Sequence, residues 1–238
     1  MNKRLLSCLS AVIIICVSAS AQSFKYEIDL SGLGDPSTTS KPFGASYNAA
    51  NGLLYVAIAG SFAANNNVVA VIDPATDLVV ATIPVGLFPE DIAFDSTTGD
   101  GAVTNSTSGS ITFFDSSNSV LSTLQLPDPF GIGSCYPFGI TYHDGHYFVG
   151  TIDGSGEVYA IDATTRTLAP SYGFATNYKS IGRMTVKSSK LLVTTTEYNS
   201  TWSGATSSSP TPNATTASAF SIHFSCSSGG WPCRKGRI

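Results

Sequence analysis

The sequence predicts an all-β fold, on three observations. Apolar runs of strand length alternate with turn residues such as Asp73-Pro74, Asn51-Gly52 and Asp144-Gly145. Only 12% of the 238 residues are charged while 42% are hydrophobic, against about 25% charged in an ordinary globular domain. A single unit recurs about every 45 residues. Beyond residues 1–20 no 3.6-residue apolar rhythm is sustained, and the length suits one all-β domain of about 200–250 residues.

Each unit opens on a short phrase: Pro42-Phe43-Gly44-Ala45-Ser46, Pro89-Glu90-Asp91-Ile92-Ala93, Pro137-Phe138-Gly139-Ile140-Thr141 and, more weakly, Ile181-Gly182-Arg183-Met184-Thr185. A turn follows, then a second apolar run: "LLYVAIAG", "GAVTNS", "HYFVGTI" and "KLLVTTT". The third run reads "NVVAVID", "SITFFD", "EVYAID" and, after a long insertion, "AFSIHFS". Asp73, Asp115 and Asp162 close the first three of these, where a carboxylate can accept from backbone amides ahead of it and hold a tight turn. A fourth run is clear as "LVVATIPVG" and "VLSTLQLPD" and weaker over residues 166–172. Four strands in about 45 residues are the pattern of a β-propeller blade. Continuous apolar runs such as Val68–Ile72 follow if each sheet is buried on both faces by its neighbours. Blades are expected at about 42–87, 88–136, 137–180 and 181–226 within a domain over 22–226. Residues 24–30 ("FKYEIDL") would supply a completing strand to the last blade. Two readings remain for the whole: a four-bladed ring, or a truncated, incompletely closed copy of a longer propeller, which the patternless tail 227–238 favours.

"VVAVIDPATDLVVATIPVGLFPEDIAF", with "LLYVAIAG" before it, resembles the YVTN-type β-propeller repeat. The likeness is close over 42–94, moderate over 101–115 and 137–164, and poor after 181. It implies a propeller that binds or scaffolds in a secreted or surface setting, and it implies no catalysis.

Lys3 and Arg4 precede an apolar stretch from Leu5 to Val17, and Ala19-Ser20-Ala21 offers small residues for cleavage, so residues 1–21 read as a signal peptide. The stretch is shorter than the about 20 residues of a membrane span, and no other span follows it, so the expected localisation is secreted, periplasmic or cell-surface. Loss of Lys3 and Arg4 moves the formal charge from −4 to −6, which argues against nucleic acid as a partner. The mature chain keeps Cys135, Cys226 and Cys233. Cys226 with Cys233 would close a small loop and leave Cys135 free. Asn105, Asn199 and Asn213 lie in N-x-S/T sequons, either glycan acceptors or chance matches in a Ser/Thr-rich chain, and residues 199–219 read as an insertion within the last unit.

His143-Asp144-Gly145-His146 could bind a metal, but Asp-Gly between two strand runs is first a hairpin signal. The more informative positions are the second and third columns of the repeated opening phrase, which lie near the mouth of the axial channel. They hold Phe43, Glu90, Phe138 and Gly182, then Gly44, Asp91, Gly139 and Arg183. Glu90, Asp91 and Arg183 are expected as its polar groups, with Phe43 and Phe138 as apolar walls. Carboxylates opposite a guanidinium can hold a small polar ligand or a cation, or can serve as an ion pair that closes the channel. The expected function is a binding or scaffold module for a protein or small polar ligand, with no cofactor. The alternatives are a lactonase-type hydrolase with a divalent cation, such as calcium, in the channel, and an inactive fragment. No G-x-S-x-G, H-E-x-x-H or phosphate-cradling glycine loop is present.

Overall fold

A computed structural model of the chain describes residues 27–35, 37, 41–61, 63–131, 133–175, 180–187, 190–196 and 222–223. The signal-like segment 1–21, the insertion 199–219, the tail 227–238, and with them Asn199, Asn213, Cys226 and Cys233, lie outside these residues.

Among the described residues every regular element is a strand, and the strands form four antiparallel sheets in chain order. The first sheet holds β1 (Pro42–Asn48), β2 (Leu53–Ser61), β3 (Ala64–Asp73) and β4 (Leu78–Pro84). The second holds β5 (Pro89–Phe94), β6 (Gly101–Asn105), β7 (Ser110–Phe114) and β8 (Val120–Gln125). In the third, β9 (Pro137–His143), β10 (His146–Thr151) and β11 (Glu157–Asp162) are followed by an outer strand in two pieces. These are β12 (Thr167–Leu168) and β13 (Phe174–Ala175), both paired with β11. Pro170 lies between them, where the missing N–H removes a ladder bond. The fourth sheet holds β14 (Ser180–Lys187), β15 (Lys190–Thr196) and β16 (Ile222–His223).

The turns form as the local chemistry dictates. Asp73 Oδ1 accepts from the amide of Ala75 at 2.8 Å, Asp115 Oδ1 from Ser117 and Ser119 at 2.9 Å each, and Asp162 Oδ1 from Thr165 at 2.7 Å. The residues that complete these turns, Asp77, Asn118 and Arg166, all take left-handed φ values of 60°, 73° and 57°. The His143–His146 segment is a two-residue hairpin turn, with Asp144 at φ 45° and Gly145 at φ 76°, as a type I′ turn requires.

Burial explains the stacking. In β3, Val68 to Ile72 are all under 9% exposed, with Val69 and Val71 facing one way and Val68, Ala70 and Ile72 the other. The first set packs with Tyr55 and Ile83 against Ile92, Val103 and Phe114 of the second sheet. Ile111, Phe113 and Ala93 of that sheet meet Ile140, Tyr147, Val149 and Ile161 of the third. Phe148, Val158 and Ala160 of the third meet Ile181, Met184, Leu191 and Val193 of the fourth. Each such side chain contributes about 1.5–3 kcal/mol relative to exposure, so the sheets stabilise one another. These are stacked propeller blades with β1, β5, β9 and β14 side by side along the inner edge.

The fourth apolar cluster lies on the face of the first blade turned away from the second, where Ile28, Leu30 and Leu33 pack on Val56, Ile58 and Ile72. Residues 24–30, expected to complete the last blade, are described only from Glu27; Glu27–Leu30 form no strand, and their apolar side chains lie against the first blade. Apolar clusters among the described residues join the blades in series, first to second, second to third and third to fourth.

Candidate functional site

All four inner strands carry a bulge at the same place. The register shifts between Pro42 and Ala45, between Pro89 and Ile92, opposite Val149 to Thr151 in β9, and between Ile181 and Met184. Two residues therefore oppose one: Phe43-Gly44, Glu90-Asp91, Phe138-Gly139 and Gly182-Arg183 leave the ladder together. A bulge re-aims side chains that a regular strand would send into the sheet stack. These are the two columns that the repeated phrase singles out.

Where blades approach most closely, glycine is required. A Cβ on Gly44 would meet the carbonyl of Glu90, and one on Gly139 the carbonyl of Gly182. Between those two contacts, on β5, the same column holds Asp91, whose side chain reaches toward the third blade. Its Oδ2 accepts from the amide of Ile140 at 3.2 Å, and its Oδ1 from Ile92 at 3.2 Å and from Arg183 Nη1 at 2.8 Å. Asp91 is 13% exposed in its side chain and Arg183 51%. Burial raises the Asp91 carboxyl above the usual aspartate range, while the guanidinium and the two amides oppose the rise. Thr104, opposite the β5 bulge, accepts from the Asp91 amide at 3.0 Å and donates to the Phe138 carbonyl at 2.8 Å. Thr194, opposite the β14 bulge, donates to the Arg183 carbonyl of its own blade at 2.9 Å.

Glu90 is 1% exposed. Loss of water around its carboxyl pushes the pKa up to about 8, against the partial relief given by Ser106 and Arg183. Ser106 stands beside the carboxyl, yet neither Glu90 Oε2 nor Ser106 Oγ completes a hydrogen bond. Phe43 and Phe138 come from the strands on either side of β5, and their rings meet edge to face at 5.9 Å. Phe88, in the loop entering β5 at φ 57°, packs on Phe43 at 6.0 Å. Phe43 remains 46% exposed and Phe88 only 3%.

The five residues expected at the channel mouth thus fall into two linked pairs and one buried acid: Phe43 with Phe138, Asp91 with Arg183, and Glu90 between them on β5. Sequence reasoning missed Phe88, Thr104 and Ser106. The first was readable as the residue before a unit-opening proline, matched by Tyr136 at φ 42° before Pro137. The other two needed the strand register. Asn105 is fully buried and donates to Thr112 Oγ1 at 2.9 Å, so its sequon is not presented to solvent in the folded chain. Cys135 is a buried free thiol. Among the described residues no group of three or more His, Cys, Asp or Glu side chains is placed to hold a metal ion, and no helix is long and apolar enough to cross a membrane.

These features define a propeller-type chain with a polar and aromatic cluster at one end of its inner strands. Comparison with solved structures agrees on the fold. The chain is similar to hydrazine synthase of Kuenenia stuttgartiensis, at a TM-score of 0.59 and 15% identity over 74% of this chain and 47% of that one. It is also similar to a chain of the mitotic checkpoint complex, at a TM-score of 0.51 and 16% identity over 67% and 45%. Both neighbours are propeller-type proteins, and the match spans less than half of either. No protein-family model and no curated protein matches the sequence.

Proposed function

We propose that this chain is an exported binding module of the YVTN-like propeller type, and that its ligand docks at the bulged end of the inner strands. One observation carries the reading: Arg183, half-exposed and anchored by Asp91, stands in the same cluster of inner-strand bulges as Phe43, an aromatic ring 46% exposed that packs on the half-buried Phe138 and the buried Phe88. An exposed aromatic next to a preorganised guanidinium gives an apolar anchor and a directed hydrogen-bond donor, the combination that dominates binding hot spots. Holding Arg183 in place before the ligand arrives lowers the ordering cost of binding. The propeller supplies rigidity rather than chemistry, and export is supported by the signal-like residues 1–21.

Phage-displayed peptides and small-molecule libraries selected on the immobilised mature chain test the proposal. Ligands selected on the wild type should lose at least tenfold in affinity on both Phe43→Ala and Arg183→Ala. Ligands that bind both variants as well as the wild type would place the docking surface elsewhere.

A further inference from the structure

We propose that Glu90, on the strand that the Phe43 and Phe138 rings bridge, is the anionic floor of a subsite for a single organic ammonium group on an apolar stem. This inference rests on the docking end proposed above and names the chemistry it accepts.

The argument begins with charge. Asp91 already has its counter-ion, Arg183 Nη1 at 2.8 Å. Glu90 stands beside them with no ion pair among the described residues, 1% exposed, and with Oε2 lacking any hydrogen-bond donor. An unpaired buried carboxyl oxygen is uncommon, because burial removes its water and nothing replaces it. With Asp91 and Arg183 cancelling, Glu90 in its ionised form leaves the cluster one negative charge, which a single cation neutralises.

The surroundings select the kind of cation. Calcium takes six to eight oxygen ligands, and here one carboxyl lacks a counter-ion while a guanidinium stands close by. Aromatic faces, in contrast, attract organic cations, ammonium groups included. Phe43, Phe88 and Phe138 form a contiguous set with ring centroids 5.9 and 6.0 Å apart. They come from the first blade, the loop before β5 and the third blade, so they bridge β5, the strand that carries Glu90. Phe43, the exposed member, is the ring that moves to admit the group, while the apolar stem lies on its outer face. Ser106 Oγ, also without a partner, is available to accept an ammonium hydrogen. At neutral pH the carboxyl holds its proton, so entry of the ammonium displaces one proton to solvent and leaves a carboxylate–ammonium pair.

Isothermal titration of the full mature chain with n-butylammonium, tetramethylammonium, 1-butanol, sodium and calcium chloride tests this, in two buffers of different ionisation enthalpy. Butylammonium should bind, butanol should bind at least tenfold more weakly, and up to one proton should be released per cation at neutral pH, falling toward none well above pH 8. Glu90→Gln should lose at least tenfold in affinity and all proton release while melting as a folded protein. Phe43→Ala, on an exposed residue, should weaken binding without altering proton release. Equal binding of butanol, undiminished binding by Glu90→Gln, or binding of calcium in place of ammonium overturns the proposal. If peptides selected on the chain still depend on Phe43 and Arg183 while ammonium fails to bind, the subsite is wrong and the docking end stands.

Discussion

Arg183 Nη1 lies 2.8 Å from Asp91 Oδ1, although 92 residues separate them in the chain. The contact ties β14 to β5 past the intervening β9, whose Ile140 amide binds the same carboxylate. It exists because the inner strands of three blades stand side by side with their bulges at one level, so it reports on the whole stack and not on one hairpin.

Glu90 makes alkaline conditions costly for the fold. Its folded value of about 8 lies above the ordinary 4.5, so the folded state holds the proton more tightly. Its stability is full below about pH 4.5 and declines as the pH climbs through about 8. Glu90→Gln removes that decline. Melting curves should show the variant matching the wild type near pH 4 and exceeding it by several degrees near pH 9.

Gly139→Ala is expected to destabilise the chain by about 1–3 kcal/mol, because the added carbon meets the Gly182 backbone and β14 has no flexible atom to yield there. Chemical denaturation with an unchanged m-value would register this as a lower midpoint.

Asp162→Ala opens the turn between β11 and β12, where the carboxylate holds the amides of Thr164 and Thr165. The loss is about 1 kcal/mol. Those bonds also lower the Asp162 pKa, so its contribution is present above the ordinary aspartate value and fades as pH falls through the folded one. The gap between wild type and variant, measured by thermal melting, should narrow on acidification.

Much of this was legible before any coordinates. The turn aspartates, the Asp144-Gly145 hairpin and the doubly buried Val68–Ile72 run follow from local chemistry and period, and the repeated opening phrase located the columns that bulge. What the sequence withheld depends on neighbours. That Asp91 finds a cation follows from the order of the inner strands, with β14 next beyond β9. Thr104 enters only through its register opposite the bulge. Within the segment read as a completing strand for the last blade, Ile28 and Leu30 lie against the face of the first blade, which only the packing shows.

Cys135 should be inert in the native state. It is 1% exposed, and burial, reinforced by the charge of Asp153, pushes its thiol up to about 12, so almost no thiolate exists near neutral pH. Alkylation mapped by peptide mass spectrometry should leave Cys135 unmodified in the folded chain and label it fully in denaturant.

The most direct test of the stacked arrangement is a double-mutant cycle on Asp91→Asn and Arg183→Met, read by denaturant unfolding. If the inner strands of the second, third and fourth blades lie together as described, the two substitutions couple by about 0.5–1 kcal/mol. Strictly additive effects would mean the two side chains do not meet, and would contradict the blade stack on which the site depends.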